Sequence, residues 1–267
     1  MSVVTTLLVA VLPMLADGTP TGADRLHTPF EAELARADET QRDVIAAFPA
    51  YDHARIARAV DTLQHRAGTD AARPDDDYFI AQGKLELLLI RRFFDTDAKD
   101  KMPPALAALD ADQLSDEALD FAKKNVEQHP DDSDARRVVG ELWSTKIRGM
   151  ASGMTNGPKA KEGVEKAIEL DPKNALAILC QGRMHYHNPA FAGGDKEKAL
   201  EEFRRVANDV DDFRAHLYLA RIYRDRDMNA QARFWVKKAL RAAPENPEAK
   251  FLQDDVAARE EAARRKS

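Results

Sequence analysis

The sequence predicts an all-α protein, a stack of about four helix pairs closed at its N-terminal end by two further helices. Three observations carry that reading. Composition favours helices, because the 267 residues are rich in Ala, Leu, Glu, Asp and Arg while aromatic residues make up only 7%. Proline recurs at Pro74, Pro130, Pro172 and Pro244, each where a second helix must stop before the next pair begins. Small residues recur in step with it. When each proline is taken as position 32 of a unit of about 34 residues, Gly83, Gly140, Gly182 and Ala220 fall at position 8 of a first helix. Ala118, Ala160, Ala199 and Ala232 fall at position 20, in the second helix. A large side chain at either place would hold two backbones apart at a cost of about 1 to 3 kcal/mol. Position 27 is less uniform: Asn125, Ala167, Val206 and Ala239.

Charge and cysteine content narrow the function classes. Lys and Arg number 40 against 46 Asp and Glu, a net charge of −6 that disfavours a nucleic-acid partner. Hydrophobic residues at 44% supply a core. The single cysteine, Cys180, excludes an internal disulfide, a CxxC redox pair and a cysteine-rich zinc site; it follows an apolar run at 175–179 and reads as a buried, inert thiol. Residues 3–16 form an uncharged apolar run of 14, shorter than the roughly 20 residues a membrane-spanning helix needs, so no membrane span is expected. That run suits a secretory signal occupying 1–23, with Thr21-Gly22-Ala23 or Met14-Leu15-Ala16 as the small-residue cleavage site. A periplasmic or secreted protein follows, and a cytoplasmic one if the run is not a signal.

Residues 24–73 read as an N-terminal helical cap, with amphipathic helices at 28–48 and 54–66 and a polar linker at 70–77. The repeats occupy 74–250. A C-terminal capping helix and charged tail take up 251–267, since an uncovered solenoid end exposes apolar surface at about 25 cal/mol per Å².

In the last unit Leu219-Ala220, Tyr223, Ala232, Val236, Ala239 and Pro244 stand at the signature offsets of the tetratricopeptide repeat (TPR) family, which the chain resembles over roughly 74–250. The aromatic usual at position 4 is kept only in the first unit, as Phe79; Arg136, Ile178 and His216 replace it elsewhere. The resemblance implies a right-handed superhelix and non-catalytic binding of a peptide or partner protein along a concave groove of first helices. Carried over position by position, that groove is lined by Ile80, Lys84 and Leu87, then Arg137, Glu141 and Ser144, then Leu179, Arg183, Tyr186 and His187, then Leu217, Arg221 and Arg224. The candidate partner-binding residues are Lys84, Arg137, Arg183, Tyr186, His187, Arg221 and Arg224. A groove both apolar and cationic suits an acidic peptide, a peptide terminus or a small organic anion. The lysine and asparagine clamp of chaperone-tail binders has no counterpart at the matching positions.

Spacing within the units adds a second feature. From position 8 to position 20 the separation is 12 residues for Ala220 to Ala232, but 17 for Gly182 to Ala199, 20 for Gly140 to Ala160 and 35 for Gly83 to Ala118. Every insertion falls between the two helices of a pair, so the extra residues emerge along one edge and can build a binding rim. This pattern, with Asn188-Pro189-Ala190-Phe191-Ala192-Gly193-Gly194-Asp195, is similar to periplasmic repeat proteins akin to the T component of TRAP transporters, and more distantly to the regulator of microtubule dynamics group. The former similarity implies the alternative function, a periplasmic component binding an organic acid for transport. A closed apolar pocket bounded by Met150, Phe191 and Leu87 would fit that carrier, whereas an open groove fits a peptide.

No residue set suggests catalysis, a metal or a cofactor. His185-Tyr186-His187 places two imidazoles at i and i+2, on different sides of a helix, unlike the i, i+4 pair of a zinc site. Ser144 and Ser152 lack a G-x-S-x-G context. Asp195 is expected to cap a helix over 196–208, and the Gly193-Gly194 turn before it lacks the spacing of a phosphate-binding loop. Met150 and Met154, four residues apart, suit either an adaptable apolar contact or loop packing.

Overall fold

A helix pair buries one face of each helix against the other and leaves a second apolar face that only the next pair can cover. The computed structural model of the chain, which describes residues 25–28, 34, 37–73 and 75–266, shows that arrangement. The apolar run at 3–16, the signal expected over 1–23 and Pro74 lie outside the described residues. Among the described residues twelve α-helices follow one another: α1 (Glu39–Ala47), α2 (His53–Ala67), α3 (Asp76–Asp97), α4 (Pro104–Ala107), α5 (Ala111–Gln128), α6 (Ser133–Thr145), α7 (Met150–Leu170), α8 (Ala175–His187), α9 (Lys196–Asp209), α10 (Phe213–Asp225), α11 (Asn229–Ala242) and α12 (Pro247–Lys266). The pairs are α1/α2, α3/α5, α6/α7, α8/α9 and α10/α11, and α12 covers the last of them.

Short polar residues start most helices. Asp38, Asp52, Asp110, Asp132, Asn174, Asp195 and Asp212 each accept a hydrogen bond from a backbone N–H of the first turn that has no partner within the helix. Each cap contributes about 1 kcal/mol. Asp195 caps α9 as expected, accepting from Glu197 and Lys198 at 3.0 and 3.1 Å. Of the cap helix expected over 28–48, residues 29–33, 35 and 36 lie outside the described residues; Ala37 and Asp38 are not helical, and Asp38 with Gln41 forms a reciprocal capping box that starts α1 at Glu39.

The small residues do what their spacing predicts. A Cβ on Gly140 would stand 2.8 Å from the Ala160 carbonyl oxygen and 2.8 Å from the Val164 nitrogen, so α6 lies directly on the backbone of α7. On Gly182 it would meet the Phe203 ring of α9 at 2.7 Å, and on Gly83 the Val60 side chain of α2 at 2.4 Å. Ala118, Ala160, Ala199 and Ala232 are wholly buried.

The insertions are for the most part helix rather than loop. The first lengthens α3 to 22 residues and adds α4; the second lengthens α7 to 21 residues; only the third, between α8 and α9, is a loop with a single 3-10 turn at Ala190–Ala192.

The two ends of the stack meet. Phe93 of α3 packs on Phe251 of α12 with ring centroids 6.1 Å apart, and Arg221 of α10 bridges Asp97 of α3 and Glu248 of α12 at 2.6 and 2.8 Å. Into the space between them comes the turn after α1. Phe48 packs on Phe213 at 5.9 Å, Tyr51 packs on Phe93 at 5.8 Å and donates to Glu248 at 2.7 Å, and Asn246 donates to the Pro49 carbonyl at 2.8 Å. The curved trough expected on the inner side of the first helices is therefore filled at its centre by the chain's own Phe48–Tyr51 turn.

A buried polar seam joins α3 and α6. Arg137 is 2% exposed and grips Asp134 with two nitrogens at 2.5 and 2.7 Å, Glu141 at 2.8 Å and Gln82 at 2.7 Å. Gln82 in turn donates to Glu86 at 3.0 Å, while the second oxygen of Glu86 is buried without a partner. Burial pushes Glu86 up to about 8, against the Gln82 hydrogen bond and the charges of Arg214 and Arg137. The unfolded chain releases this proton near pH 4.5 and the folded chain keeps it to about 8, so the folded state holds the extra proton in between. Stability then falls as pH rises through that window. Glu86→Gln, which resembles the protonated acid, is expected to remove this fall; urea unfolding at pH 5.5 and pH 8 checks it, with a smaller loss in the variant than in the wild type.

Candidate functional site

The expected groove residues fall into two groups once placed. Lys84 is buried and ion-paired to Glu117 at 2.6 Å, and Arg137 is locked in the seam. Arg221 is held between Asp97 and Glu248, and Arg224 between Asp225 and Asp255 at 2.9 and 3.4 Å. Tyr186 donates to Asp225 at 2.7 Å, which together with burial pushes the phenol upward. These five side chains tie one helix to the next. Arg183 and His187 differ, because both reach the open side of the stack.

That side holds a cleft of about 850 Å³ between the α6–α7 insertion and the α8–α9 loop. Sequence places its walls. Met150 and Met154 lie one turn apart on the extended start of α7; Phe191 sits on the 3-10 turn opposite, which Gly193 closes with φ of +86°. Ile147, Val164 and Met184 also line the cleft. Met150, Met154 and Phe191 are 77, 76 and 83% exposed, so the cleft is open to solvent. Leu87, expected at its edge, is buried, and Arg92 from the added turns of α3 stands at the border instead. Arg92 is the residue sequence reasoning missed. Its only signal was the 35-residue gap, which lengthens α3 beyond the usual end of a first helix.

Arg92, Arg183 and His187 line both this cleft and a smaller cavity of about 110 Å³ left beside the Phe48–Tyr51 turn. Arg183 shares Glu141 with Arg137, and its Nε is buried without a partner. Glu141 itself resists the effect of burial and is pulled down to about 2 by Arg183 and Arg137. His187 is pushed down to about 3 by desolvation and by the charges of Arg92, Arg183, Arg221 and Lys196, so it is neutral at pH 7 and faces Tyr218 at 3.3 Å. Cys180 donates to Glu141 at 3.0 Å; burial pushes its thiol well above the ordinary range, away from the thiolate a nucleophile needs. His185 pairs with Glu202 at 2.8 Å on the far side of α8.

The geometry is that of a helical solenoid of the tetratricopeptide type with its inner face closed and an apolar, cation-edged cleft on its insertion rim. Comparison with a solved structure supports the fold: a thermophilic TPR protein of Thermus thermophilus superposes with a TM-score of 0.58 at 18% identity, over 82% of this chain and 99% of that one. Among curated proteins, the regulator of microtubule dynamics protein 1 of Bos taurus is 27% identical over 216 residues, covering 68% of each chain. No protein-family profile matches the chain. Among the described residues no helix is long and apolar enough to cross a membrane.

Proposed function

We propose that this protein is a non-catalytic scaffold that holds a segment of a partner protein in the cleft between the α6–α7 insertion and the α8–α9 loop. The supporting observation is the exposure of Met150, Met154 and Phe191 around an open cavity of about 850 Å³. Large apolar side chains gathered on a surface mark an interaction site, and flexible methionines adapt to the shape of what they meet. The inner face offers far less room, about 110 Å³, because Phe48–Tyr51 occupies it. In this reading Arg183 and His187 face the partner, while Lys84, Arg137, Tyr186, Arg221 and Arg224 hold the frame. The name of the bovine relative, a regulator of microtubule dynamics, describes action on a protein assembly and favours a protein partner over a small molecule. The apolar run at 3–16 supports export, which cell fractionation of the full chain tests.

A photo-crosslinking residue in place of Phe191 is expected to give a discrete protein adduct in cells. Met150→Asp combined with Met154→Asp should abolish the adduct at an unchanged melting temperature, since both positions are exposed. An adduct that survives the double substitution removes the cleft from consideration. A small organic acid retained in native mass spectra, without any protein adduct, favours the carrier alternative instead.

A further inference from the structure

The inner end of the cleft carries positive charge that the fold does not neutralise. Among the described residues Arg92 has no hydrogen bond and no ion pair, although the four arginines of the expected inner face, Arg137, Arg183, Arg221 and Arg224, are each matched to a carboxylate. Arg183 beside it has one nitrogen buried and unpartnered. Arg92 is exposed to solvent where it lines the cleft, so its guanidinium donors are open to an incoming anion. Glu141 cannot serve, because its oxygens already accept from Arg137, Arg183 and Cys180.

Two chemistries thus meet in one cavity. The outer walls are Met150, Met154 and Phe191, and the inner end presents Arg92 and Arg183 with the neutral imidazole of His187 between cations. We propose that the cleft selects partner segments in which a single Asp or Glu side chain is flanked by large apolar residues, the carboxylate seating on Arg92 beside Arg183. This rests on the cleft being the partner site and adds the residue that sets its specificity. An arginine holds a carboxylate in two parallel hydrogen bonds, so a neutral amide in the same place leaves the guanidinium unpaired. An open cleft with adaptable walls suits a chain that continues beyond it on both sides, which favours an internal acidic side chain of a peptide over a free small acid.

The test uses two degenerate decapeptide pools, acetylated and amidated at their ends, with Leu, Ile, Phe and Met at the positions flanking a central residue that is Glu in one pool and Gln in the other. Immobilised full-length protein is expected to retain the Glu pool at least roughly tenfold over the Gln pool. Arg92→Ala should bring the ratio near unity at an unchanged melting temperature, because Arg92 has no internal partner to lose; Arg183→Ala is avoided, since it would strand Glu141. Equal retention of both pools overturns the carboxylate inference while leaving the cleft a peptide site. A ratio unchanged by Arg92→Ala overturns it as well. Retention of neither pool, with displaceable binding of dodecanoate, overturns both this inference and the scaffold reading and assigns the cleft to a small amphiphile.

Discussion

Gly140→Ala is expected to destabilise the protein by about 1 to 3 kcal/mol, although alanine is the better helix former by about 1 kcal/mol. The sign follows from what lies opposite. At Gly182 and Gly83 an added methyl group meets a phenylalanine ring and a valine side chain, which can shift. At Gly140 it meets the main chain of α7: the Ala160 oxygen and Val164 nitrogen at 2.8 Å and the Gly163 carbonyl carbon at 3.0 Å. A backbone cannot rotate out of the way, so the two helices must separate. The contact is mutual, since a Cβ on Gly163 would lie 2.6 Å from the Gly140 Cα. Gly140→Leu should fold poorly or lose on the order of 10 °C in melting temperature. Gly153→Ala is the control. It lies in α7 with only the Ile147 side chain near, at an ordinary 3.7 Å, and should gain up to about 1 kcal/mol. Thermal unfolding of the two alanine variants checks the prediction: opposite signs support the close crossing, and a stabilised Gly140→Ala variant would mean that α6 and α7 do not touch there.

That crossing was legible in the sequence because its cause is local and steric. A glycine at position 8 and an alanine at position 20 are needed wherever two neighbouring helices meet, and the need repeats with the unit. The same logic reached the Asp195 cap, set by one short side chain at its own helix start. It did not reach the inner face. Tyr51 meets Glu248 across 197 residues and Arg221 meets Asp97 across 124, and nothing in periodicity joins residues so far apart. The Phe48–Tyr51 turn gave no sign that it would occupy the trough. One part of the buried seam could have been read earlier: Asp134, Arg137 and Glu141 stand at i, i+3 and i+7 on one helix face, a spacing that pairs the arginine within its own helix before any partner arrives. The exposed pair Met150 and Met154 showed a spacing but not a location, which depended on the second insertion extending α7 as helix.

Arg137→Met is expected to cost about 3 to 5 kcal/mol and roughly 10 °C in melting temperature, for reasons that hydrophobic volume does not repair. Methionine fills much of the same space, but the substitution leaves Asp134 and Glu141 buried with fewer donors and removes the link to Gln82. Through Gln82, Tyr78 and Asn174 the seam joins α3, α6 and the start of α8, with Tyr78 donating to Asp134 at 2.5 Å. Its loss therefore loosens two interfaces of the stack at once. Arg226→Met, which breaks the surface pair with Glu197, should change stability by less than about 1 kcal/mol. The pH dependence separates a lost charge from lost packing. Glu141 is drawn down to about 2 in the folded protein, from 4.5, by Arg183 and Arg137 acting against burial, so it contributes stability that is present above pH 4.5 and is lost as pH falls toward 2. With Arg137 removed, part of that contribution is already missing at neutral pH. The stability gap between wild type and Arg137→Met should then narrow as pH is lowered from 5 to 2.5 in urea titrations, whereas a gap that stays constant would show that the guanidinium acts only by filling space.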